Sequence, residues 1–240
     1  MTRQSEGEEK GAETEAHIGE KDRILGLFKF GRREHLEPLV SKGLLYMNTL
    51  QYFQELESDE VRADQNEGLF AYGAFGKYEM RWDPNNDGNF KPLPVAGPLV
   101  WRGGGTDDLN VYCMYALRAS QLQRSGVDSQ NFGFGDAFVY FLNGDAFLAR
   151  VRNRLNELGL EYYIDLVQYL NAKDFAGEMG PFRKFDNFAY QSELRIVVKA
   201  KKKAPLILEL GDLSEIAQLH PKPLSQINDQ FSPKPAAFSS

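Results

Sequence analysis

Residues Asn187 to Val198 read NFAYQSELRIVV, and the way this stretch is taken decides the fold. Read as a strand, its side chains alternate between faces, so Gln191, Glu193 and Arg195 share one side while Ser192, Leu194, Ile196 and Val198 share the other. The second set is suited to a core. The first is a row of polar groups, which makes the segment either a solvated edge strand or the wall of a cleft.

Outward from this stretch the chain keeps changing between strand and helix signals. On its carboxyl side, Lys199-Ala200-Lys201-Lys202-Lys203 reads as an exposed hairpin end whose lysines blunt an edge. Pro205 to Leu210 (PLILEL) is a strand, and Asp212 to Leu219 a short helix with an acidic first turn. On its amino side, Asn171 to Arg183 is a loop and Leu160 to Leu170 a strand. Phe147, Leu148, Val151, Leu155 and Leu158 mark an amphipathic helix closed by Gly159. Ala137 to Leu142 and Asn110 to Ala116 are buried strands by their apolar runs.

Nearer the amino terminus, Ile24 to Phe30 is a short strand ended by Gly31. Arg33 to Ser41 is a helix with Gly43 as its carboxyl cap, despite Pro38. Leu44 to Met47 is a second strand. Asn48 and Thr49 then cap a helical segment carrying Leu50, Tyr52, Phe53 and Leu56. Glu55 to Gly68 is too charged for a core and reads as a surface loop containing Arg62, Asp64 and Glu67. Leu69 to Trp82 suggests a strand or hairpin. Asp83 to Gly88 starts like a calcium loop, but Pro94 stands where the bidentate Glu is required, so it reads as a turn. Residues 91 to 106 form a flexible excursion, either a lid or an inert loop. The sum is an α+β fold with a mostly antiparallel, split sheet and a few flanking helices.

At 240 residues the chain fits one large domain. The expected organisation is a polar tail over 1–20, a single domain over 21–220, and a Pro/Ser-rich tail over 221–240. With 42% hydrophobic residues and no apolar run near the roughly 18 residues of a membrane span, no membrane association is expected. The amino-terminal residues lack secretory or transit character, so the expected location is cytoplasmic. A net charge of −6 argues against a broad nucleic-acid surface, although the local lysine run would still suit one. The single Cys113, in VYCMYAL, reads as a buried apolar side chain. With His17, His35 and His220 scattered, no metal site is expected.

The chain contains no GxxxxGK[ST] loop, no GxGxxG after a strand, no HExxH and no GxSxG. It does resemble the ADP-ribosyltransferase superfamily, in particular the bacterial branches that include toxins and phage-defence proteins. LFKFG followed by HLEPLVSKGLLYMNT resembles the opening strand, helix and second strand of that family. AYQSELRIVV resembles its glutamate strand, of the QxE type. RADQNEG resembles a loop of bacterial relatives. Together these cover about a third of the chain.

The resemblance implies transfer of ADP-ribose from NAD to a macromolecule, with NAD as substrate and no metal. Glu193 would bind the ribose 2′-hydroxyl and stabilise the positive charge that develops as nicotinamide leaves. Gln191 would orient the acceptor, and as a neutral amide it points to an amide side chain or a nucleic-acid base rather than arginine. The cofactor-binding residues implied are Lys29, Gly31, Arg33, Asn48, Thr49, Tyr52 and Phe53, with Arg62, Asp64 and Glu67 closing over the site. Where the family has Arg or His this chain has Lys29, or the role moves to Arg32 or Arg33; lysine holds a phosphate as a point charge without the arginine fork. The implied partners are an RNA, DNA or protein acceptor and an antitoxin or regulatory protein. The alternatives are a non-catalytic nucleotide- or partner-binding module on the same fold, and an NAD glycohydrolase.

Overall fold

The apolar runs of the sequence become neighbouring strands, paired almost entirely antiparallel. In the computed structural model, which describes residues 23–55, 64, 66–103, 108–122, 126–200 and 202–221, the amino-terminal part runs β1 (Ile24–Gly31), α1 (Arg33–Lys42), β2 (Leu44–Thr49), α2 (Leu50–Glu55), β3 (Ala71–Gly73), β4 (Met80–Trp82), β5 (Lys91–Leu93) and β6 (Leu99–Trp101). There follow β7 (Leu109–Arg118), α3 (Ala119–Leu122), β8 (Ala137–Phe141), α4 (Gly144–Glu157), β9 (Glu161–Leu166), β10 (Gln168–Leu170), β11 (Ala176–Glu178), β12 (Arg183–Phe185), β13 (Glu193–Lys199), β14 (Leu206–Glu209) and β15 (Ala217–Pro221). Three-ten turns span Ser129–Phe134 and Asp186–Gln191. Among the described residues the one parallel pair is β10 with β12. The fold is thus α+β, a mostly antiparallel sheet with a few helices, the longest of them the 14-residue α4.

The long strand β7 organises the main sheet. One edge pairs with β13 over its whole length, from Glu193 opposite Tyr115 to Lys199 opposite Leu109, and β9 follows outside β13. The other edge is shared. β1 pairs with the carboxyl half of β7 up to Phe28 opposite Tyr115, whereas β2 pairs with its amino end, Asn48 opposite Val111 and Thr49 opposite Asn110. Between them β7 is left uncovered on that edge at residues 112–114. β1 turns away with β8, which it follows to Gly31, and β15 lies outside β8; β2 turns away with β14. The sheet is forked.

Its two faces differ. Leu194 and Ile196, paired with Met114 and Tyr112, bury themselves with Leu36 and Leu39 of α1 and Phe147, Val151 and Leu155 of α4. The periodicity of both helices places these residues inward. Asn143 caps α4 by accepting the Ala146 N–H at 2.9 Å. The opposite face carries an aromatic cluster of Phe28, Phe30, Tyr115 and Phe138 at one end and Leu50, Val111 and Val197 at the other. Polar groups fill the interval.

Several expectations need correction. Gln191 is not in the strand: the three-ten turn ends on it, Ser192 takes a left-handed conformation with φ 39°, and β13 begins at Glu193. The Glu55 to Gly68 stretch is not simply a solvated loop, because Asp64 and Glu67 are each 3% exposed; residues 56–63, with Arg62, lie outside the described residues. Asp212 to Leu219 is no helix, since β15 there completes an edge against β8. The lysine run is not a hairpin end: β14 pairs with β2, so the chain crosses the end of β7. Asn110 Nδ2 fastens that crossing, donating to Met47 O at 3.0 Å and Ala204 O at 2.9 Å. The loop over 171–183 contains β11, and the excursion over 91–106 contains β5 and β6. β3 and β4 do not pair with each other. Asp83 does close a turn, accepting the N–H groups of Asn85, Asp87 and Gly88. The expected tails over 1–20 and 221–240 lie outside the described residues, except Pro221, which ends β15.

Candidate functional site

The fork in the sheet opens into a cleft of about 640 Å3. Its walls come from β1 (Lys29, Phe30, Gly31), from α1 and from β2 (Tyr46, Asn48); its floor is Tyr112, Cys113 and Met114 of β7. This follows from the register. Where β1 leaves β7 after Phe28, the backbone of Cys113 faces the gap, and Lys29 reaches across to donate to Cys113 O at 2.7 Å. The same ammonium sits 4.4 Å from the centre of the Tyr112 ring, a cation–π contact. Burial pushes the Cys113 thiol up to about 12, so it is not a thiolate nucleophile.

Glu67, Lys184, Gln191, Glu193 and Arg195 enter this cleft together. They belong to a buried ionic cluster of three carboxylates, Asp64, Glu67 and Glu193, and two cations, Lys184 and Arg195. Arg195 Nε donates to Glu193 Oε2 at 2.6 Å. Its two terminal nitrogens grip Glu67 as a fork at 2.6 and 2.7 Å, the bidentate geometry that arginine provides. Arg195 also donates to Pro181 O at 2.5 Å. Lys184 Nζ donates to Glu193 Oε1 at 3.0 Å and to Gln191 Oε1 at 2.7 Å. Both oxygens of Glu193 therefore meet a cation.

The charges respond accordingly. Burial would raise the Glu193 carboxyl, but Arg195 and then Lys184 more than offset it, and the group lies well below the ordinary carboxylate range. Glu67 is likewise lowered against its burial by Arg195 and Lys184. Lys184 is raised in spite of burial by Glu193 and Glu67. Asp64 goes the other way: burial raises it and Lys184, 3.8 Å away, compensates only in part. Glu193 is consequently a permanent anion and a poor base.

The turn that carries Gln191 is held from two sides. Asn131 Nδ2, itself buried, donates to Tyr190 O at 2.8 Å. Ser192 Oγ donates to Ala116 O at 2.8 Å, and the Ala116 N–H returns to Ser192 O at 2.8 Å. These contacts hold a backbone conformation that serine adopts rarely.

Of the residues expected at the site, Gln191, Glu193, Lys29, Gly31, Asn48, Tyr52, Phe53 and Glu67 line the one cleft. Asp64 touches it through Lys184. Thr49 instead caps α2, its Oγ1 accepting the Tyr52 N–H at 3.2 Å. Arg33 lies over a separate surface hollow beside Asp136, its guanidinium paired with Glu37 at 3.1 Å. Lys199 stands six residues along β13 from Glu193, roughly 20 Å at 3.3 Å per residue. Lys184, Arg195 as a site residue, Tyr112 and Asn131 were missed. A signal for Arg195 existed, because a buried carboxylate requires a cation and Arg195 shares the face of Glu193.

Among the described residues no group of three or more His, Cys, Asp or Glu is arranged to hold a metal ion, and no helix is long and apolar enough to cross a membrane. Comparison of the chain with family models, with curated proteins and with solved structures gives no match.

Proposed function

We propose that the cleft binds NAD and that the protein transfers ADP-ribose to a macromolecular acceptor. The observation that carries this reading is the convergence of Glu193 and Gln191, from the carboxyl-terminal third of the chain, with Lys29, Asn48, Tyr52 and Phe53, from the amino-terminal quarter, on one cleft. Its size falls within the range of about 300–1,000 Å3 typical of small-molecule sites. In the reaction the bond between ribose C1′ and the nicotinamide nitrogen breaks, and its electron pair leaves with neutral nicotinamide. The acceptor nucleophile forms the new bond to C1′ and loses its proton. Glu193 acts through charge: its carboxylate accepts the ribose 2′-hydroxyl and stabilises the oxocarbenium-like centre. Gln191 faces the acceptor, whose class is an amide side chain or a nucleic-acid base. Such chemistry suits a toxin or defence effector held in check by an antitoxin or regulatory protein.

The test is incubation with labelled NAD and a cell lysate, followed by separate nuclease and protease digestion of the labelled product. Glu193→Gln should lower labelling by about 100- to 1,000-fold with the circular dichroism of the folded protein retained. Full labelling by that variant would refute the assignment.

A second reading, a nucleotide-binding module without turnover, is favoured by one specific observation. Lys184 and Arg195 already occupy both oxygens of Glu193. Calorimetric NAD binding with no nicotinamide released would establish that reading, and release of free ADP-ribose without an acceptor would indicate a glycohydrolase.

A further inference from the structure

Lys184 joins two groups of the cleft that belong to different elements. It lies on β12 and is 4% exposed. Its Nζ donates at once to Gln191 Oε1, on the three-ten turn, and to Glu193 Oε1, at the start of β13. Glu67 Oε2 is 3.4 Å away and the Phe188 ring centre 4.8 Å. An ammonium has three donors and no acceptor. Of the two ends of the Gln191 amide, it can therefore face the oxygen and not the nitrogen. The nitrogen is turned to the other side, where it donates to the Tyr190 hydroxyl at 3.3 Å.

We propose that Lys184 is a positioning residue of this site, which fixes the orientation of the Gln191 amide and its distance from Glu193. The inference rests on the reading that Gln191 meets the acceptor, and it adds what sets the polarity of that meeting. A carboxamide is nearly symmetric in shape, and a free one presents oxygen or nitrogen with little preference. Held by Lys184, Gln191 has one polarity. The turn lies against β12, and Ser192, left-handed at φ 39°, separates it from β13.

The lock is measurable without any turnover. In the 15N-labelled full chain, the side-chain amide of Gln191 is assigned by its disappearance in Gln191→Glu. Its order parameter should be about 0.8 or higher in the wild type, and below about 0.6 in Lys184→Met. Lys184→Arg, which keeps a donor-only cation, should restore it. A mobile Gln191 amide in the wild type overturns the proposal by itself, whether or not Lys184→Met folds; so does an amide that stays rigid in folded Lys184→Met. In the NAD assay, Lys184→Met should lower the ratio of transferred to hydrolysed ADP-ribose about tenfold, and should change it no further in a Gln191→Ala background. A further drop in that background would refute action through Gln191. If the wild type does not turn NAD over, the proposed function fails, and the amide measurement still decides the lock.

Discussion

Asp64 is the carboxyl of the buried cluster with the least compensation. Its Oδ1 accepts the Asn66 N–H at 2.9 Å, but the nearest cation, Lys184, is 3.8 Å away. Burial raises it above its ordinary value of 3.8, and Glu67 pushes the same way, while Lys184, the Asn66 N–H and Arg195 pull it down by less. The sign for stability follows from linkage. An acid whose folded value is raised favours the fold while it is protonated, and that contribution fades as pH rises from about 3.8 through the raised value. Glu67 and Glu193 behave oppositely: their contribution is present above the ordinary value of 4.5 and is lost as pH falls through their lowered values. Asp64→Asn keeps the oxygen for Asn66 and removes the titration. Its urea midpoint relative to the wild type should climb as pH is raised from 4 towards 8; a difference that falls over this range would mean that Asp64 is as well paired as Glu193. At this scale the sequence was partly legible. Alternation put Glu193 and Arg195 on one face and only the resemblance singled out Glu193, but nothing marks Lys184 as buried, since a lysine between Arg183 and Phe185 looks the same on a surface.

The elements that were legible carry local signals. α1 ends where Gly43 says it should, with φ 63° and the Gly43 N–H donating to Pro38 O. This glycine does two things. A Cβ there would lie 2.2 Å from the Gly211 carbonyl oxygen, and the left-handed backbone itself costs an L-residue about 1–2 kcal/mol. Gly43→Ala should lower stability by at least that amount in urea unfolding, with the loss exceeding 2 kcal/mol if the backbone around Gly211 does not yield; an unchanged midpoint would contradict the cap geometry. α4 was equally clear from its apolar stripe, while its Asn143 cap emerges only in the structure. The failures share a cause, which is pairing decided far away in sequence. Leu213, Ile216 and Ala217 have helical spacing, yet β8 offers an open edge and β15 takes it. In NFAYQ the aromatic residues favour a strand, while the turn is fixed by Ala116 and Asn131, which lie about 60 or more residues away in the chain.

Across the whole molecule, the fork positions everything else. It needs β7 to serve two partners on one edge, and Lys29 stands where they part. Its ammonium satisfies Cys113 O, which the departing β1 no longer covers. Lys29→Met should therefore destabilise the protein by about 1 kcal/mol, the low end of the cost of an unmet acceptor because this one is half-buried, and, under the proposed function, should weaken NAD binding measured by calorimetry. Unaltered stability would show that water replaces the ammonium without loss. Lys199, by contrast, sits at the far end of β13 from Glu193. Overall architecture was readable because apolar periodicity reports which segments are strands and helices. It does not report where a sheet divides, since the strands on either side of the fork have the same pattern as the rest.

Because β7 is bare at residues 112–114, part of the cleft floor is peptide rather than side chain. A codon change replaces the thiol of Cys113 but leaves its carbonyl and amide where they are. Side-chain scanning will accordingly understate what β7 contributes, and sequence drift can reshape the rim of the cleft long before it alters the floor.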